Sequence, residues 1–152
     1  MQAPRDHAHF DKQVRAQIYA HFLQAEQAPR LRDVARALDC PLPATRAAYR
    51  RLAEARAIVL QADGEVLMAE PFSAVPTPFV VETGARRWWG NCVWDALGIL
   101  AMLRVDGQVV TSCGCCGLAM TLEVADGALR DAPGVVHYAI PARDWWKDVV
   151  FT

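Results

Sequence analysis

Cys92 and Asp95 are the pair of residues best placed to do chemistry together. They lie three apart at the start of an apolar stretch that reads as a helix over residues 92–103, and residues three apart on a helix share a face. A thiol in the first helical turn feels the positive end of the helix dipole. That favours the thiolate, which is the form that attacks or binds metal. Burial beside a thiolate raises the pKa of the Asp95 carboxyl, whereas the dipole lowers it. If burial wins, Asp95 holds a proton near neutral pH and can donate it. Trp88, Trp89 and Trp94 flank the pair in sequence and are expected to exclude water. The plainer reading is a buried core cysteine and an acid that supports the helix N-terminus, and C-x-x-D alone is a weak pattern.

Three more of the five cysteines crowd into Ser112-Cys113-Gly114-Cys115-Cys116-Gly117. Cys113 and Cys116 have the spacing of one half of a metal knuckle, and the glycines permit a tight turn. A closed zinc site needs four ligands. With no second C-x-x-C, Cys92, Cys40 or His137 would have to complete it, so permanent zinc is disfavoured. Transient binding of a soft metal by two or three thiolates of Cys92, Cys113, Cys115 and Cys116 is easier. The alternative is a turn with one or two buried sulfurs. Cys40, beside a turn proline, reads as a small buried filler. His137 reads as half-buried and structural, and His7, His9 and His21 as solvent-facing.

The whole chain bounds these readings. Its 152 residues, 53% hydrophobic and 22% charged, suit one globular domain or two small ones. A formal net charge of −1 gives no general attraction to nucleic acid or anionic membrane. Residues 1–12 have no apolar signal-peptide core, and no apolar run reaches the length of a membrane span. An odd number of cysteines, three of them within four positions, fits reduced thiols and a cytoplasmic location.

The elements that must position the site form an α+β chain. Residues 10–25, 31–38 and 45–55 have helical periodicity, with Val14, Ile18, Phe22, Tyr49 and Leu52 inward. Strands at 58–60 and 66–68 flank an Asp63-Gly64 hairpin turn. Three helices and a hairpin, residues 1–69, read as a winged-helix-like subdomain. Arg46, Arg50, Arg51 and Arg56 on its third helix make DNA reading conceivable, but Glu26 and Glu54 dilute them. Residues 70–78 form a proline-rich connector that excludes helix and docks as extended chain. In residues 79–152, strands at 79–83, 109–111, 120–124 and 135–140, with 86–89 as a short strand or an irregular entry, form a small, mostly antiparallel sheet. The helix at 92–103, capped by Asn91, packs on it. Residues 144–148 read as a turn or one helical turn.

Asn91-Cys92-Val93-Trp94-Asp95-Ala96-Leu97-Gly98, the stretch 71–79 and the stretch 112–122 together resemble the alkylmercury lyase (organomercurial lyase) family. The resemblance runs over nearly the whole chain. It implies protonolysis of a carbon–mercury bond, in which two thiolates bind mercury and an aspartate protonates the leaving carbon. Cys92 matches the first of those cysteines and Asp95 the acid; Cys116 matches a further family cysteine with a structural look. The family's second catalytic cysteine belongs in an apolar segment after the stretch that residues 145–151 resemble. The sequence ends at Thr152, so either it is cut short there or this member lacks that ligand, with Cys113 or Cys115 as substitutes. The resemblance also implies an organomercurial substrate, no organic cofactor, an external thiol to carry mercury away, and a helical part that packs on the catalytic part instead of reading DNA. The competing expectation is a non-catalytic, thiol-rich metal-binding protein or a metal-responsive DNA-binding regulator.

Overall fold

The computed structural model describes residues 4–130, 132 and 134–149. Three helices come first: α1 (Pro4–Ala25), α2 (Leu31–Ala37) and α3 (Leu42–Glu54). The third begins three residues earlier than its periodicity suggests, because Pro43 falls where a helix tolerates proline, in the first turn. A three-stranded antiparallel sheet follows, in the order β1 (Val59–Leu60), β2 (Val66–Ala69), β3 (Phe72–Ser73). Gly64 at φ +85° makes the turn between the first two strands. The third strand lies inside the proline-rich stretch and pairs with β2, so that stretch is docked by backbone hydrogen bonds.

The rest of the chain builds a five-stranded antiparallel sheet in the order β5-β4-β6-β7-β8, with one helix against it. The strands are β4 (Val80–Thr83), β5 (Arg86–Trp89), β6 (Gly107–Ser112), β7 (Ala119–Ala125) and β8 (Ala128–Leu129), and the helix is α4 (Val93–Leu103). On the sheet, Val81, Val109, Leu122 and Val124 alternate inward. They meet Ala96, Ile99 and Leu100 of the helix. Residues 135–140 are not a strand: they run as irregular chain after β8 and lead to a short 3-10 helix at Ala142–Lys147. Val135 and Val136 alternate with no buried face to serve, since both are exposed.

One apolar cluster runs from Val14, Ile18 and Phe22 of α1 to Val109 and Leu122 of the large sheet. Phe72 is its hinge. Its ring stacks on Phe22 with centroids 5.0 Å apart and leans on Trp88 at 6.2 Å. Burying each such ring stabilises by about 1.5–3 kcal/mol. The Trp88 Nε1–H donates to the Phe22 carbonyl at 2.8 Å, and the Arg86 guanidinium donates to the Leu23 carbonyl at 3.0 Å. The helical part is therefore locked against the strand that leads into Cys92. Arg51 of α3 is committed to Asp11 at 2.8 Å, and Arg56, just past the end of α3, lies over the Trp146 ring at 5.3 Å. Arg46 and Arg50 are exposed.

Candidate active site at the N-terminus of α4

The chain leaves β5 at Trp89 and turns into α4 through Gly90, Asn91 and Cys92. The Gly90 N–H donates to the Phe79 carbonyl at 2.9 Å, and the Thr77 hydroxyl donates to the Gly90 carbonyl at 2.6 Å. The first helical turn packs directly on this glycine: a Cβ there would lie 2.6 Å from the Ala96 backbone nitrogen. Only glycine lets the strand end and the helix start approach so closely.

Cys92, not Asn91, is the N-cap residue. Its backbone is extended and its carbonyl accepts the Ala96 N–H at 2.9 Å. The helix thus begins one residue later than the sequence suggests. The reason lies in Asn91, whose amide nitrogen donates to Asp95 Oδ2 at 3.1 Å instead of closing the helix end. Asn91 Oδ1 is buried and makes no hydrogen bond among the described residues.

This geometry brings the thiol and the acid into contact. Burial raises the Asp95 carboxyl above the ordinary carboxylate range, and hydrogen bonds from Asn91 and the Cys92 thiol pull it partly back. Burial also raises the Cys92 thiol. The backbone N–H of Asp95 opposes that rise and the Asp95 charge adds to it; the Tyr138 hydroxyl and the Trp94 N–H then pull the thiol down. The expected dipole effect is present, delivered by the first N–H groups of α4, but burial outweighs it. Burial thus favours the neutral form of both groups relative to their ordinary behaviour.

One residue not singled out from the sequence reaches the thiol, and a second feels the acid's charge. The Tyr138 hydroxyl lies 3.8 Å from Cys92 Sγ, and its own ionisation is pushed up to about 12 by burial and by Cys92. Glu70, two residues before β3, is raised by loss of solvent and by the Asp95 charge. The Tyr138 contact spans 46 residues of chain, and no local pattern announces it. His137 beside it, expected to be half-buried, is exposed.

The tryptophans do not form the expected shield. Trp88 is buried in the shared core and Trp94 is 72% exposed; Trp89 alone of the three is half-buried. Tyr138 takes the covering role, with its ring 5.0 Å from that of Trp145. The Trp145 Nε1–H donates to the Ile140 carbonyl at 2.8 Å and folds the irregular segment onto itself.

Cys113, Cys115 and Cys116 sit at the turn between β6 and β7, and their sulfurs all lie within 4.8 Å of one another. The Cys113 N–H donates to the Leu118 carbonyl and the Gly117 N–H to the Cys113 carbonyl, both at 2.8 Å. Gly117 takes the left-handed conformation, φ +72°, that this turn requires. The N–H groups of Cys115 and Cys116, with the Cys116 thiol, bring the Cys113 thiol down to about 7. The Cys113 charge in turn pushes Cys115 up. Cys92 is outside this three-sulfur group. Cys116 is exposed, and Cys40 stands apart, half-buried, with its sulfur 3.0 Å from the Thr45 hydroxyl.

Comparison with known proteins bears on this arrangement. A family model described as MerB, alkylmercury lyase, matches residues 72–152. Ten chains of solved structure match. One of them, the crystal structure of the mercury-bound form of MerB2, superposes with a TM-score of 0.63 at 19% identity. The match covers 80% of this chain and 60% of that one, so this chain spans about three-fifths of its length. At such identity the likeness speaks for the fold, a mixed helical and antiparallel-sheet architecture. No curated protein matches the sequence. The family model takes in more than half of the 152 residues, including Cys92, Asp95 and the cysteine turn, and the chain belongs to the alkylmercury lyase family.

Proposed function

We propose that this chain is an alkylmercury lyase that splits a carbon–mercury bond by protonolysis, with Cys92 as mercury ligand and Asp95 as proton donor. The observation that carries the reading is the placing of Cys92 and Asp95 together at the start of α4, where Asn91 donates to Asp95 Oδ2 at 3.1 Å and burial raises the carboxyl. An organomercurial R–Hg–X exchanges its ligand X⁻ for the Cys92 sulfur. The displaced thiol proton passes to the Asp95 carboxylate, which burial has made a ready acceptor. Sulfur adds electron density to mercury and weakens the bond to carbon. Asp95 then returns the proton to carbon, which keeps the bonding electron pair and leaves as R–H. The mercuric ion remains on Cys92 facing an ionised Asp95. No electron changes hands, so no organic or redox cofactor is required. A second thiolate, from an external thiol, completes two-coordinate mercury and removes it.

In this reading residues 79–152 carry the catalytic part and residues 70–78 connect it to residues 1–69. We read the latter as a winged-helix-like cover. Support comes from the three helices, the β1–β2 hairpin and the bonds from Trp88 and Arg86 to α1. No described helix is long and apolar enough to cross a membrane. A DNA-reading role would draw on exposed Arg46 and Arg50 of α3.

The test is to incubate the reduced protein with an alkylmercury chloride and excess external thiol, and to measure hydrocarbon release in the headspace. Release that depends on Cys92 is expected. No release above a Cys92→Ser control would remove the lyase reading.

A further inference from the structure

We propose that the Cys113, Cys115 and Cys116 thiols form a second, solvent-facing soft-metal site that holds a mercuric ion as a three-sulfur centre. The site is nearly assembled in the empty protein. A trigonal ring of sulfurs about 2.3 Å from a central cation has edges of about 4.0 Å, and longer ones for a larger soft ion. The three sulfurs here already lie within 4.8 Å of one another. Side-chain rotation closes such a gap, while the bonds from Cys113 to Leu118 and from Gly117 to Cys113 keep the turn in place.

The donor set selects the ion. Among the described residues no fourth cysteine, histidine or carboxylate joins the group, so a closed four-coordinate zinc site does not form. Three thiolates and no hard ligand suit a soft, thiophilic cation that accepts low coordination numbers. Binding replaces each thiol proton still present with a sulfur–metal bond, and the protons leave to water. The thiols are directly accessible, since Cys115 and Cys116 are exposed and Cys113 partly so.

Strand register places this site at the same end of the sheet as Cys92. Val80 pairs with Trp89 on one side and with Val110 on the other. Trp89 leads directly to Cys92 and Val110 directly to Cys113, so both chains leave the sheet past the same residue. A role for the cluster in receiving mercury released from Cys92 rests on the lyase reading; its binding of mercuric ion does not.

The experiment uses the full chain with Cys92→Ser, reduced and oxygen-free, titrated with mercuric chloride against glutathione as competitor. Sulfur-to-metal charge-transfer absorption and mercury X-ray absorption report the coordination number. One ion per chain with a three-sulfur signature is expected, lost when Cys113, Cys115 and Cys116 are all replaced by serine. If the triple variant fails to fold by circular dichroism, exposed Cys115→Ser alone decides, through collapse from a three-sulfur to a two-sulfur signature. Binding that is unchanged by these substitutions, or a two-sulfur signature before them, overturns the site. Three-sulfur binding together with absent hydrocarbon release would instead leave this site standing and remove the lyase reading.

Discussion

The two thiol regions of this protein use the same side chain under opposite conditions. At Cys92 the sulfur is half-buried, carries a raised pKa and neighbours a raised carboxyl. At the β6–β7 turn the sulfurs face solvent, and backbone N–H groups bring Cys113 down to about 7. Both regions aim backbone amides at sulfur, so the amides do not explain the difference. Burial does, because it charges a desolvation cost for the thiolate that a few N–H groups only partly offset. The first arrangement suits proton transfer coupled to metal capture, and the second suits open metal binding.

The sharpest way to break the comparison is to remove the acid. Asp95→Asn keeps the shape and the Asn91 contact but has no proton of carboxylic acidity to give. Hydrocarbon release is expected to fall by about 10²–10⁴-fold, the usual contribution of a general acid, while organomercurial binding at Cys92 persists. Stability should move the other way. A carboxyl raised on folding contributes stability below its unfolded pKa and loses it as pH rises through the folded value. The neutral amide escapes that loss, so the variant's melting temperature near neutral pH should equal or exceed the parent's. A drop in both release and melting temperature would assign Asp95 to helix support.

Alkylation separates the two regions directly. Only thiolates react with iodoacetamide at an appreciable rate. With its pKa near 7, Cys113 should be about half ionised at pH 7 and label first, whereas Cys92, buried and raised, should label last and gain rate only on the alkaline side. Peptide mass mapping over a pH series reads the order. Equal rates at Cys92 and Cys113 at pH 7 would dissolve the distinction drawn between them.

The sequence made parts of this legible and hid others for a physical reason. Cys92 and Asp95 announce themselves because a C-x-x-D at the head of an apolar run is a local pattern. The cysteine turn does so because its glycines and sulfurs are contiguous. The helices and most strands follow from periodicity, since Val14, Ile18 and Phe22 or Val81, Val109 and Leu122 must all reach one core. Tyr138 was not visible, because it reaches Cys92 from a distant segment. The shielding tryptophans misled for the same reason: adjacency in sequence places Trp94 on the outer face of α4 and Trp88 in the opposite core. Residues 135–140 have a strand's alternation, but Val135 and Val136 are both exposed and no face of the segment is buried as a strand's would be.

Gly90 and Gly114 offer a backbone version of the comparison. A Cβ at Gly90 would meet backbone and side-chain atoms of Ala96 at 2.6–2.9 Å, whereas at Gly114 nothing lies within 4 Å. Gly90→Ala should therefore cost about 1–3 kcal/mol by overpacking and shift the start of α4. Gly114→Ala should stay within about 0.5 kcal/mol, as an open surface change does. Urea unfolding of the two variants checks the difference, and a tolerant Gly90 would mean the active-site turn is looser than its contacts imply.

Tyr138→Phe makes the finest distinction, between a hydroxyl that acts and a ring that only covers. The substitution keeps the ring against Trp145 and removes the hydroxyl 3.8 Å from Cys92 Sγ. That hydroxyl lowers the thiol pKa, so without it Cys92 should ionise at higher pH. A long bond to sulfur belongs at the weak end of the usual 0.5–1.5 kcal/mol, which corresponds to about a two- to threefold slower alkylation at fixed pH. The alkaline rise in the Cys92 labelling profile should move upward by the matching few tenths of a unit. If instead the profile stays put for Tyr138→Phe and labelling accelerates for Tyr138→Ala, the ring is a lid and the hydroxyl has no electrostatic role. The raised thiol at Cys92 would then be tuned by burial and the α4 backbone alone.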